Sequence, residues 1–240
     1  MLFCVLLFFL GVATGGVAAV VGFGVGSFLT PVLAIRSGFG VAVAAVSIAH
    51  FFGSALRFWL LRRNVNRRVL LRFGILSAAG GLIGALLQSR VSSAALSIVF
   101  GGLMIFAGIS GFLRWSEKVR LNGVLAWGIG AVSGFFGGIV GNQGGLRAAG
   151  LLGFNLRKAE FVATATAVAL MVDVFRVPVY IVARSGQLVP YIPEIIAMSA
   201  GVIVGTLLGA PLLRRLPDRY FRAVLSAVLI VVGVLVAVRL

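Results

Sequence analysis

Apolar residues run in long uninterrupted stretches along this chain, and polar residues gather in short clusters between them. Charge-free windows cover 1–35, 37–56, 91–113, 121–146 and 195–213. A helix needs about 20 apolar residues to cross the hydrocarbon of a bilayer. Backbone groups in lipid must bond within their own segment, so these windows are helices. The period-two alternation of a barrel strand is absent. Ordinary spans are expected near 38–60, 70–89, 91–113, 159–183, 191–213 and 220–238. The windows that open each half, 1–35 and 121–156, are different. Thirty-five helical residues would extend about 52 Å at ~1.5 Å per residue, against a hydrocarbon thickness of about 30 Å. Each window is too long for one span, and each carries glycines near its middle.

The halves resemble one another. A shift of 119 residues places Gly11 on Gly130, Gly15 on Gly134, Gly22 on Gly141 and Gly26 on Gly145. It also places Leu33 on Leu152 and Arg57 on Arg176. Two more residues of shift bring Gly80 and Gly84 onto Gly201 and Gly205. Self-similarity at this scale marks a duplication, which divides the chain into repeats 1–120 and 121–240.

Charge placement then separates two topologies. If each opening window crosses once, the basic residues outside the spans divide ten against eight and set no orientation. If each folds back at its glycines, one side holds Arg62, Arg63, Arg67, Arg68, Arg72, Arg114, Lys118, Arg120, Arg157, Lys158, Arg214, Arg215, Arg219 and Arg222. The other side then holds only Arg36, Arg90, Arg184 and Arg239. Fourteen against four satisfies the positive-inside rule. The expected fold is therefore an all-α polytopic membrane protein with both termini outside the cytoplasm. Five segments per repeat make the two repeats inverted, and short glycine-broken helices open each. Inverted repeats with broken helices recur in secondary transporters.

Composition agrees: 61% of the 240 residues are apolar and only 11% are charged, where soluble domains run near 25% charged. A net charge of +16 in a soluble chain would point to nucleic acid. Here no soluble domain is left to carry such binding, and the basic clusters sit where lipid headgroups meet a span. Cys4 is the sole cysteine, so neither an internal disulfide nor a cysteine-based metal site is expected. The first window lacks a basic leading region and a clear small-residue cleavage site, and reads as a retained span. No hydrolase elbow, phosphate loop or paired carboxylate is visible, so neither an enzyme nor a cofactor is expected.

Candidate chemistry concentrates at the two glycine breaks. The first runs from Gly22 through Gly24, Gly26 and Ser27 to Pro31. The second reads Gly141-Asn142-Gln143-Gly144-Gly145-Leu146-Arg147. A break frees backbone N–H groups, which attract anions at the start of the next half-helix. Two amides in an apolar window are costly without partners, and Arg147 adds a full charge with a fork suited to oxyanions. These residues are the expected substrate site. Glycines outside the breaks read as close-packing positions.

Four further residues are candidates for coupling or relay. Arg57 lies close to Arg62, and its simplest reading is snorkelling to the surface. Arg176 falls one turn after Asp173, a spacing that suits a self-neutralising pair or a relay. His50 is the chain's single histidine. A lone histidine is most often packed and hydrogen-bonded, and is also the natural proton switch. Glu160 sits beside basic loop residues, and Glu194 suits a helix start.

The sequence resembles the sulfite exporter TauE/SafE family, also called the toluene sulfonate uptake permeases. The likeness rests on the duplicated glycine motif, the length and the basic loops. Gly26 to Pro31-Val32-Leu33 follows that family's glycine-then-Pro-x-Leu pattern. The second copy departs from it, with Gly150 in place of proline and Arg147 inside the motif. The resemblance implies a cell-membrane carrier of sulfite, sulfonates or related organic anions, coupled to a proton or sodium gradient. A membrane assembly or scaffold protein without a substrate path is the competing class, but a scaffold has no use for a polar centre.

Overall fold

The computed structural model describes residues 1–88, 102, 105–106, 108–109, 112–113, 123–141 and 144–238. Most of the expected span at 91–113 lies outside the described residues, as do Arg90, Arg114, Lys118, Arg120, Asn142, Gln143 and Arg239. Among the described residues the regular elements are all helical. They are α1 (Leu2–Val21), α2 (Val25–Ser37) and α3 (Phe39–Leu61), followed by α4 (Arg67–Leu87). Residues Gly123–Val140 form α5 and Gly144–Leu152 form α6. Then come α7 (Lys158–Leu188), α8 (Ile192–Arg215) and α9 (Asp218–Val238).

Four helical stretches are long and apolar enough to cross a membrane: Leu2–Val21, Phe39–Asn64, Arg67–Leu87 and Lys158–Leu213. The last contains α7 and α8, which are joined through non-helical Arg184 and a short turn at Val189–Tyr191. Val5, Phe9, Ile83, Leu86, Val124, Leu208 and Leu212 face outward. Such an apolar exterior is what a bilayer solvates. The chain is a multi-pass membrane protein.

Both opening windows break where their glycines fall. Gly22 ends α1 in the left-handed region, with φ 87°, and its N–H bonds the Ala18 carbonyl at 2.9 Å. Gly24 follows with φ 128°, and Gly141 ends α5 with φ 74°. Positive φ is reached easily only by glycine, so the turns are written into these positions. The first window then doubles back. The Arg36 guanidinium at the end of α2 lies 4.0 Å from the ring centroid of Phe3 at the start of α1. In the second window Gly150 of α6 returns to Ile129, early in α5.

Packing is reciprocal between residues 1–120 and 121–240. Helix α1 lies against α8, and α4 against α5. Both contacts are backbone-close. A Cβ at Gly15 would lie 2.9 Å from Val202 Cα, and one at Gly84 would lie 3.0 Å from Gly138 Cα. These glycines let helices approach where van der Waals contact drives association, as the sequence suggests. Helices α3 and α7 pack together at the centre. Gly22 abuts Val162 on α7, whereas Gly141 abuts Val43 on α3. Those two partners are 119 residues apart, so each break rests on the other half's central helix.

The helix ends sort the charges. The Lys158 ammonium donates to the Leu216 carbonyl, and the Asn66 N–H donates to Thr164 Oγ1 at 3.0 Å. Arg62, Arg67, Lys158 and Arg215 therefore share one end. The Tyr191 hydroxyl donates to the Arg36 carbonyl at 3.0 Å, and Arg184 abuts Gly40. Helix α3 connects the two groups over 23 residues, about 34 Å at ~1.5 Å per residue. At the basic end, Glu160 caps α7 by accepting the Arg157 N–H. At the other, Glu194 lies in the first turn of α8, as expected from its place at a helix start.

Candidate functional site

Helices α3 and α7 bring ionisable side chains from distant parts of the chain into one buried cluster. Each helix is apolar over most of its length, so a polar side chain at its middle must find a partner inside the protein. His50 Nδ1 lies 2.6 Å from Asp173 Oδ2. The other carboxylate oxygen accepts from Arg176 Nε at 2.8 Å. Arg176 also donates from NH1 to the Gly137 carbonyl at 3.0 Å. One turn further along α7, the Tyr180 hydroxyl donates to the Gly138 carbonyl. These two carbonyls stand just before the break at Gly141.

Arg57 occupies the equivalent place on α3. It is 1% exposed and donates to Ser54 Oγ at 3.1 Å and to Thr206 Oγ1 at 3.4 Å. The snorkelling expected from its closeness to Arg62 is wrong. Thr206 on α8 and Ser54 hold the guanidinium inside. The 119-residue shift matches the arrangement. It carries Arg57 onto Arg176 and Ser54 onto Asp173, so both central helices present an arginine backed by a polar group one turn earlier.

Arg147 differs from the other two. It lies in the first turn of α6, just beyond the second break, with 0% exposure. Its Nε and both terminal nitrogens lack a hydrogen-bond partner among the described residues. An unpaired buried charge costs several kcal/mol, a cost that the described residues leave unoffset at Arg147. The breaks themselves touch. A Cβ at Gly26 would lie 3.2 Å from the Gly141 carbonyl oxygen, and one at Gly144 would lie 3.3 Å from Phe23 Cγ. Gly24, Gly26 and Ser27 on one side, and Gly144 and Gly145 on the other, are all buried. Asp173, Arg176 and Arg57 lie within electrostatic range of Arg147. Three guanidinium groups face one carboxylate, an excess of two positive charges with His50 neutral.

The sequence therefore marks out Arg147, the breaks and the Asp173–Arg176 pair. It misses the bond from His50 to Asp173 and the role of Tyr180. The family model for the sulfite exporter TauE/SafE matches residues 7–236. The chain belongs to that family. No curated relative and no solved structure matches it. Members of the TauE/SafE family are membrane anion transporters rather than enzymes. A TauE/SafE protein needs a place where an anion can leave water, and the described residues of this one hold a buried excess of positive charge. An oxyanion could accept two bonds from the Arg147 fork and further bonds from N–H groups that open α2 and α6.

Proposed function

We propose that this TauE/SafE protein is a secondary transporter of a small sulfur-containing anion, either sulfite, a sulfonate or a related organic anion. Transport crosses the cytoplasmic membrane by alternating access around the two glycine breaks. The observation that carries the reading is Arg147, buried beside the second break with no acceptor among the described residues. A membrane scaffold would gain nothing from such a charge, whereas an intramembrane ionisable residue is by default functional. Arg147 supplies the charge. Gly24, Gly26, Ser27, Gly141, Gly144 and Gly145, with Asn142 and Gln143, form the backbone and amide surroundings of the anion.

The reciprocal packing supports repeats 1–120 and 121–240 related by a two-fold axis in the membrane plane, the inverted arrangement that lets one half rock against the other. The basic end carrying Arg62, Arg67, Lys158 and Arg215 faces the cytoplasm by the positive-inside rule. Both termini then lie outside. Purified protein in proteoliposomes should carry labelled sulfite or a sulfonate down its gradient, and a carboxylate of similar size more slowly. Absence of flux for all three anions, with the protein correctly inserted, would remove transport from consideration.

A further inference from the structure

We infer that His50 and Asp173 form a proton-binding site, and that the anion crosses together with a proton held at His50 Nε2. The inference rests on the transport reading above and adds the coupling ion to it. Asp173 is fully buried, and both its oxygens are engaged, one by His50 Nδ1 and one by Arg176 Nε. A carboxylate can only accept, so Nδ1 carries the hydrogen in that 2.6 Å bond. The tautomer is thereby fixed, and Nε2 is the nitrogen left to take up a proton. The event is a simple association: a proton joins the Nε2 lone pair on one side of the membrane and leaves it unchanged on the other.

The charges around His50 give the sign of the coupling. From α7 it faces Asp173 and Arg176, and from its own helix Arg57. Arg147 on α6 reaches the same carboxylate. Helices α2 and α8 also pack on α3, and the described charges they carry, Arg36, Glu194 and Arg215, sit at their ends. In the empty protein a proton at His50 raises the excess positive charge from two to three. A monovalent anion beside Arg147 lowers it, so anion and proton each favour the other's binding. This reciprocity is required by linkage. It makes the coupling symport rather than exchange.

The pair is also placed to report to the break. Asp173 holds Arg176, and Arg176 and Tyr180 hold the Gly137 and Gly138 carbonyls. Neutral His50 and Asp173 join α3 to α7 across the centre of the molecule, and the protonated state strengthens that bond. Loading of the anion is thus sensed where α5 ends.

The test compares the wild type with His50→Gln in proteoliposomes, using labelled sulfite, an imposed pH gradient and a potential clamped with potassium and valinomycin. Sulfite's own protonation is the same for both proteins, so the difference between them isolates His50. The variant should still carry sulfite downhill, more slowly than the wild type because the proton that favours anion binding is missing. For one proton per anion, the wild type should accumulate sulfite about tenfold further than the variant for each unit of pH gradient. Equal accumulation by the two overturns proton coupling and leaves the Arg147 site standing. Loss of downhill flux in an inserted variant also overturns it, by placing His50 in the anion path. A wild type that moves no sulfite at all removes the transport reading itself. His50→Asn, with the same expected outcome, replaces the glutamine variant if that protein does not insert.

Discussion

Arg147→Met should abolish anion flux while making the folded protein more stable. Methionine nearly fills the volume of the arginine stem and brings no charge. The guanidinium it replaces is fully buried and lacks an acceptor among the described residues. Removing an uncompensated buried charge relieves a cost of several kcal/mol. For a chain of this size each kcal/mol shifts the melting temperature by about 2–4 °C, so a rise of several degrees is expected in detergent. The anion, in contrast, loses its full counter-charge. A loss of about 3 kcal/mol corresponds to about a hundredfold in binding, and flux should fall by at least that factor. Arg147→Lys should keep part of the activity, because it preserves the charge but not the planar fork. Opposite signs for stability and transport separate a functional arginine from a structural one. Normal flux in Arg147→Met would move the site elsewhere in the cluster.

Asp173→Asn should be the most damaging single change to the fold. The carboxylate is the sole negative charge described in the buried cluster, and it engages both His50 and Arg176. Its loss leaves Arg176 without its ion-pair partner inside the protein. Breaking a buried pair from one side costs about 3–5 kcal/mol. The variant should show a melting temperature lowered by about 10 °C, or fail to accumulate as monodisperse protein. Pairing it with Arg176→Gln removes the stranded charge and should recover much of the loss, a non-additivity expected of contacting residues. Equal damage from the double variant would mean that the pair does not act as a unit. Thermal unfolding followed by size-exclusion chromatography reads both outcomes.

Much of this arrangement is legible in the sequence, because a bilayer imposes length. The windows 1–35 and 121–156 exceed one crossing, and the glycines at 22, 24 and 141 are where the chain turns with positive φ. The folded-back hairpins follow from those two facts. Helix α3 then separates Arg36, at the end of α2, from Arg62. Asp173 and Arg176 are legible because a helical turn separates them.

The bond from His50 to Asp173 is not legible. The residues are 123 apart in the chain, and no periodicity relates one to the other. Their meeting depends on α3 and α7 lying side by side, a tertiary fact. Arg57 misleads for a local reason. Its nearness to Arg62 suggests an easy route to the surface, but Thr206 on α8, in the other half, accepts from its guanidinium inside the protein. The signal was present in the 119-residue shift, which carries Arg57 onto the buried Arg176 and Ser54 onto Asp173. Positions matched by the shift share burial here, even where the partner chemistry differs. Arg147 has no such echo, since the shift places it on Phe28, and that asymmetry is part of why it is proposed as the anion's counter-charge.

The central claim is that an anion occupies the space beside Arg147 where the two breaks meet. Selenite is a close analogue of sulfite, and its selenium gives an anomalous signal. A crystal structure of the protein with selenite should show that signal within hydrogen-bonding range of the Arg147 guanidinium, with selenium about 4 Å from its central carbon, and between Gly26 and Gly144. Selenium density confined to the basic end around Arg62 and Arg215, with nothing at Arg147, would contradict the account.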